Sequence, residues 1–151
     1  TTSIYKQIAI HKSEDNREIP VEMYEESDGS IRLLDFIPML IDLRLNDAVY
    51  LIDEIDRSMH PMLSQKILEY YFNYLSEERD TQLIFTTHES NLLNLDLIRS
   101  DEVWFVEKAH DGSSHLTSLS EYKPREDVRK GYLQGRYGAI PFFANINNLK
   151  W

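Results

Sequence analysis

Cysteine is absent from the 151 residues. That excludes disulfides and thiolate metal sites and is compatible with a reducing, cytoplasmic setting. No apolar run approaches the roughly 20 residues that a membrane helix needs, so no membrane partner is expected. Basic residues are scarce: 16 Lys and Arg stand against 26 Asp and Glu, a formal net charge of -10. A surface that acidic argues against this segment by itself gripping nucleic-acid phosphates, which takes clustered Lys and Arg. It does not exclude a bound nucleotide, because helix N-termini and a metal ion neutralise phosphate locally. Glycine and proline number five each, and no low-complexity linker or internal repeat is present. What remains is ordinary for a globular protein, 42% hydrophobic and 28% charged, and long enough for one domain with a sizeable core. The chain opens on Thr1-Thr-Ser-Ile rather than on Met, so a processed or excised segment of a longer protein is expected.

Residues Ile4 to His11 and Ile19 to Tyr24 read as strands joined by the polar loop Lys12 to Arg17, a hairpin. Glu25-Glu-Ser-Asp-Gly-Ser30 is a turn with helix-capping residues. Ile31, Leu34, Ile37, Ile41 and Leu45 follow at helical spacing, with Pro38 expected to kink or interrupt the helix. Val49 to Ile52 reads as a buried strand, and His60-Pro61 as the start of a second helix. On that helix Leu63, Ile67, Tyr71 and Leu75 share a face, and Glu77 to Asp80 ends it. Gln82 to Thr87 is another buried strand, followed at His88 to Asn91 by a loop into a short helix. Glu102 to Glu107 and His115 to Leu119 pair as a hairpin about Asp111-Gly112. A last helix is expected over Glu126 to Gln134, broken by Gly135, Gly138 and Pro141. Strands alternating with helices indicate an α/β fold.

Three features carry chemistry. The apolar run ending at Ile52 stops on two adjacent acids, Asp53 and Glu54. Ligands of open α/β sheets bind beyond the carboxyl ends of the strands, where one acid can hold Mg²⁺ and the other can polarise a water. The plainer reading is that both acids favour the start of the next helix. Ser27-Asp-Gly-Ser30 precedes the first long helix. Free N–H groups there attract anions, Ser27 and Ser30 supply hydroxyls, and Gly29 permits close approach; a simple capping turn explains the same residues. His88 ends the second apolar strand, where an imidazole can contact a terminal phosphate or merely sit at the surface.

The combination is more specific than its parts and resembles the second half of an ABC-type, SMC-like bacterial ATPase. In that resemblance Glu26 to Ser30 stands where the signature motif belongs, Leu51 to Asp56 looks like Walker B, Arg57 to His60 occupies the D-loop, and Thr86-Thr-His88 occupies the place of the switch histidine. Asp28 replaces the first glycine of the usual Leu-Ser-Gly-Gly signature, and His60 stands where an Asp is common. Asp101 to Lys108, Leu119 to Tyr122 and Gly135 to Pro141 resemble the C-terminal part of AAA-annotated ATP-binding proteins from abortive-infection and restriction-linked phage-defence loci. The resemblance covers nearly all of residues 1–151. It implies a partial P-loop NTPase core with a largely parallel sheet flanked by helices, plus β-hairpins. It also implies ATP and Mg²⁺ as cofactors, with Asp53 as the metal residue and Glu54 and His88 as catalytic residues. Ser27, Gly29 and Ser30 would contact the γ-phosphate held by a second protomer, so that ATP gates a homodimer. An effector protein or a nucleic acid is the implied partner of the whole protein.

A P-loop, Gly-x-x-x-x-Gly-Lys-[Ser/Thr], is needed to cradle the phosphates. None of Gly29, Gly112, Gly131, Gly135 and Gly138 sits in one. The expectation is that it lies upstream in the same protein and that this chain alone is inactive. Two alternatives stay open: a metal-dependent, Toprim-like nuclease using Asp53, Glu54 and Asp56, and a degenerate ATPase-like interaction module. The aromatic helix from Met62 to Leu75, with Tyr70, Tyr71, Phe72 and Tyr74, either offers apolar surface to a partner of such a module or packs in the core or against the missing half. Arg32 is either a phosphate contact or a solvated helix residue, and Gly135 to Gly138 either a partner contact or a structural turn held by tyrosine packing.

Overall fold

In the computed structural model, the structure describes residues 4–74, 80–124 and 127–140. The chain divides into two compact units, Thr1–Thr87 and His88–Trp151. Among the described residues no helix is long and apolar enough to cross a membrane.

The first unit opens with an antiparallel hairpin of β1 (Ile8–Lys12) and β2 (Glu18–Glu22), in register from Ile8 opposite Glu22 to Lys12 opposite Glu18. A 3₁₀ turn, Met23–Glu25, leads to α1 (Asp28–Leu45). Ser27 caps α1 by accepting the N–H of Ser30, which satisfies one of the orphan donors at the helix start. The helix continues through Pro38 as one element, so the expected interruption does not occur. The cost is confined to the Leu34 carbonyl, which loses its i+4 donor, and Leu34 is solvent-exposed.

The far end of α1 is fixed by Asp42. Its carboxylate accepts Asn46 Nδ2 at 2.7 Å and the Tyr50 hydroxyl at 2.8 Å, while its carbonyl accepts the Asn46 N–H. These bonds set the turn from α1 into β3 (Val49–Ile52). α2 (Pro61–Tyr74) follows, then β4 (Gln82–Phe85), which pairs parallel with β3 in register from Val49–Gln82 to Ile52–Phe85. Leu75 and Glu77, Glu78 and Arg79 at the expected helix end lie outside the described residues.

Burial corrects two expectations. The α1 residues that are buried are Phe36, Met39 and Leu43, whereas Leu34, Ile37, Ile41 and Leu45 of the expected face are exposed. α1 is apolar nearly all round, so periodicity could not choose its buried side. Likewise β3 and β4 are covered on one face only: Val49, Leu51 and Ile84 lie open, while Tyr50, Ile52, Leu83 and Phe85 are half-buried. A parallel sheet is normally covered on both faces. On α2, Ile67 and Tyr71 are buried as expected, joined by Leu68.

The second unit pairs β5 (Trp104–Lys108) antiparallel with β6 (Ser114–Ser118), with Gly112 at φ 86° in the turn. A 3₁₀ turn at Ser90–Leu92 stands where a short helix was expected. α3 (Leu119–Tyr122) is held by a capping box between Ser118 and Glu121, and Asp127 caps α4 (Val128–Leu133). Phe105, Leu119, Val128 and Tyr137 form the core, with the Phe105 ring stacked on Tyr132 at 5.7 Å and on Tyr137 at 5.3 Å. The turn through Gly135 and Gly138 is therefore a structural one that delivers Tyr137 to the core, both glycines having positive φ. Pro141 and Glu126 lie outside the described residues. The largely parallel sheet expected of the chain amounts, among the described residues, to β3 and β4 beside two antiparallel hairpins.

Two predictions follow from this packing. The Asp42 carboxyl is held below the usual carboxylate range by the hydrogen bond from Tyr50 and then that from Asn46. Its stabilising contribution is therefore whole above the unfolded-state value of about 3.9 and is lost as pH falls through the lower folded-state value. Asp42→Asn should flatten the acid limb of a stability-against-pH curve; an unchanged limb would count against the corner. Separately, a Cβ at Gly29 would lie 3.0 Å from the Ser58 carbonyl oxygen. Gly29→Ala is expected to lower the melting temperature, overpacking costing about 1–3 kcal/mol against a gain of about 0.5–1 kcal/mol from alanine in a helix. A melting temperature that rises would show that Ser58 yields freely.

Candidate functional site

The site is built where β3 and β4 end together. The ladder continues one step past the strands: Thr86 N–H donates to the Ile52 carbonyl at 3.0 Å, and Ile55 N–H donates to the Thr86 carbonyl at 3.0 Å. Between these bonds the chain turns through Asp53 and Glu54. Glu54 adopts φ 51°, a left-handed conformation that costs a non-glycine residue about 1–3 kcal/mol. Its N–H donates to Thr86 Oγ1 at 2.8 Å, and Thr86 Oγ1 donates to Asp53 Oδ1 at 2.5 Å. The next hydroxyl, Thr87 Oγ1, donates to Asp56 Oδ1 at 2.6 Å.

A turn follows, in which Arg57 N–H donates to the Glu54 carbonyl and Met59 N–H to the Asp56 carbonyl. Ser58 also has a positive φ of 60°. His60 is engaged in local hydrogen bonds at the start of α2. Its Nδ1 accepts the Met62 N–H at 3.2 Å and its carbonyl accepts the Leu63 N–H, ahead of Pro61 in the first turn of α2.

The start of α1 lies beside this turn. Gly29 faces the Ser58 carbonyl, whose oxygen would lie 3.0 Å from a Cβ at that position. Between the two segments is an open pocket of about 330 Å³ lined by Asp28, Ile31, Arg32 and Asp35 of α1 and by Asp53, Glu54, Arg57 and Ser58. Four carboxylates thus face two guanidiniums. The Arg32 guanidinium lies over the Phe36 ring at 5.0 Å, and its Nε is buried without a hydrogen-bond partner. Arg32 is accordingly a half-buried residue of the pocket lining.

The structure brings Asp53 and Glu54 to one pocket. Ser27, Gly29 and Ser30 are not among its lining residues. Ser27 and Ser30 are engaged with each other, their hydroxyls 3.0 Å apart and the Ser30 N–H donating to Ser27 Oγ at 3.2 Å. Glu26, just before the cap, is hydrogen-bonded to His11 of β1. That bond is the first of several that hold its carboxyl below the usual range, with Ser30 and Ser27 adding to it against the opposing effect of burial. His88 follows Thr87 directly as the first residue of the second unit and is exposed. Sequence reasoning included Arg57 and Thr86 only as members of longer motif segments, with no role of their own, and did not single out Asp35. The signal for Thr86 was available in a hydroxyl residue immediately past an apolar strand that runs beside the acidic one.

Mg²⁺ is commonly held by one or two carboxylates, with phosphate and water completing its shell. Asp53, exposed at the pocket and oriented by Thr86, fits that demand. Among the described residues no group of three or more His, Asp or Glu is arranged to hold a metal.

A search for curated relatives gives no match. Residues 5–94, more than half of the chain, match the family model described as "AAA domain, putative AbiEii toxin, Type IV TA system". The matched segment runs from the first hairpin through α1, the acidic turn and α2 to the residues after β4. With the paired acids at the end of a parallel strand and the family match covering that whole segment, the chain belongs to this AAA-domain family, whose type is that of an ATPase.

Proposed function

We propose that this chain is the signature-motif and Walker B part of the ATP-binding and hydrolysing head of an SMC-like, ABC-type ATPase, acting as an ATP-gated dimer in phage defence. One observation carries the reading. Asp53 and Glu54 stand just past the carboxyl end of β3, fixed against the end of a parallel neighbour and lining a pocket. That is where ligands of α/β sheets bind. The family description, with its putative toxin of a toxin–antitoxin system, is in keeping with a defence role.

In this reading Asp53 holds Mg²⁺, through water, and Glu54 takes a proton from the water that attacks the terminal phosphate. Bound Mg²⁺ would supply neutralisation of charge on the phosphates. His88 senses the terminal phosphate from the end of the next strand. Ser27, Gly29 and Ser30 address the nucleotide of a partner protomer, so nucleotide binding favours a two-fold dimer and hydrolysis releases it. The phosphate cradle comes from a P-loop segment outside residues 1–151. The open apolar faces of α1 and of the β3–β4 pair supply surface for such a segment to cover. The effector is a protein or a nucleic acid engaged by the whole assembly.

In the protein that includes the P-loop, Glu54→Gln is expected to keep ATP binding, slow hydrolysis about 10²–10⁴-fold, and accumulate a dimer on size exclusion with ATP. Turnover at the wild-type rate, or a variant that stays monomeric where wild type dimerises, would remove Glu54 as the base. The 151-residue chain alone should hydrolyse no ATP. Turnover that scales with its concentration and is unchanged by Glu54→Gln would overturn the assignment of roles.

A further inference from the structure

Thr86 meets four consecutive residues of the acidic turn. Its N–H binds the Ile52 carbonyl, its hydroxyl donates to Asp53 Oδ1 and accepts the Glu54 N–H, and its carbonyl accepts the Ile55 N–H. A threonine hydroxyl has one hydrogen and two lone pairs, so donating to Asp53 while accepting from Glu54 is within its capacity. The two backbone bonds would form with any residue at position 86 other than proline. The two hydroxyl bonds would not.

Those two bonds fall on the residues whose placement matters most. Glu54 is in the left-handed region at φ 51°, and at this step of the ladder the Thr86 carbonyl accepts the Ile55 N–H while the Thr86 hydroxyl accepts that of Glu54. The hydroxyl supplies the acceptor that the ladder does not. The same oxygen gives its hydrogen to Asp53 Oδ1, restricting the rotation of that carboxylate. One atom therefore sets the carboxylate direction of Asp53 and the backbone conformation that points Glu54 at the pocket.

We propose that Thr86 is the positioning residue of the Asp53–Glu54 pair, acting through its hydroxyl on both acids. The inference rests on the ATPase reading for its effect on turnover, but the geometry it invokes belongs to this chain alone. Thr87 provides an internal contrast, because its hydroxyl donates to Asp56.

The test compares Thr86→Val, Thr86→Ser and Thr87→Val in the full-length protein. Amide hydrogen exchange is read by NMR without nucleotide or metal, and steady-state ATP turnover is read alongside. In Thr86→Val the Glu54 amide should exchange about tenfold faster, as expected for the loss of one ordinary hydrogen bond, while the Ile55 amide stays protected. The kcat should fall about tenfold or more with KM for ATP changed less than about twofold, the pattern of a loss confined to the transition state. Thr86→Ser should restore both, and Thr87→Val should leave the Glu54 amide protected. Where valine unfolds the protein, Thr86→Ala frees the same amide and replaces it. An unchanged Glu54 amide in Thr86→Val overturns the proposal. So does a serine variant that fails to rescue, an equal rise in Thr87→Val, or a rise in KM at constant kcat. If instead Glu54→Gln turns over as fast as wild type, the ATPase reading of Glu54 is what fails, and the exchange measurements still decide whether Thr86 holds the turn.

Discussion

The parallel pairing of β3 with β4 is the constraint on which the site depends. Two strands that run side by side in the same direction end at the same edge, so whatever follows each of them meets its counterpart. Here the acids following β3 meet the threonines following β4. The ladder does not stop at Ile52 and Phe85 but continues into the bonds between Thr86, Ile52 and Ile55. Inside that continuation Glu54 can take up a backbone conformation that an unsupported chain would avoid. Shift β4 by one residue, and the hydroxyl next to the acids is replaced by the Phe85 or Thr87 side chain on the opposite face of the strand.

The second determinant is the close approach of α1 to the turn after the acids. Gly29 permits it by having no side chain to meet Ser58. The first turns of α1 thereby bring Asp28, Arg32 and Asp35 opposite Asp53, Glu54 and Arg57. At its other end α1 is tied to the start of β3 through Asp42, Asn46 and Tyr50. The helix is thus tied by hydrogen bonds at its far end and lies close to the acidic turn at its start, while much of its apolar surface between them lies open. Helices that are apolar nearly all round are normally buried, and parallel strands are normally covered on both faces.

The second unit is organised by rings rather than by charge. Phe105 from β5 is stacked between Tyr132 of α4 and Tyr137 of the following turn, with Tyr122 edge-on. Gly131 permits the Tyr137 ring to lie against α4, since a Cβ there would fall within 2.7 Å of its hydroxyl. The glycines of that segment serve packing and chain reversal.

Local chemistry made much of this legible in the sequence. The two hairpins, the start of α1 at Ser27, the Asp111-Gly112 turn and the strand ending on Asp53-Glu54 all follow from contacts within a few residues, which composition and spacing record directly. The sequence alone also marked the acids as the centre of the site, because an apolar strand can end on two carboxylates only where they reach water or a ligand. It could not choose the buried face of α1, whose apolar residues surround the axis and leave the choice to whatever packs against it. Nor could it choose between the two readings of Arg32 or give Thr86 and Arg57 roles of their own. The hydroxyl that orients Asp53 lies 33 residues away along the chain, and Arg32 and Arg57 share a pocket only because α1 crosses the end of β3. Periodicity reports what a segment can bury; only the tertiary structure brings distant donors and acceptors to one edge, because hydrogen bonds depend on position in space and not on order in the chain.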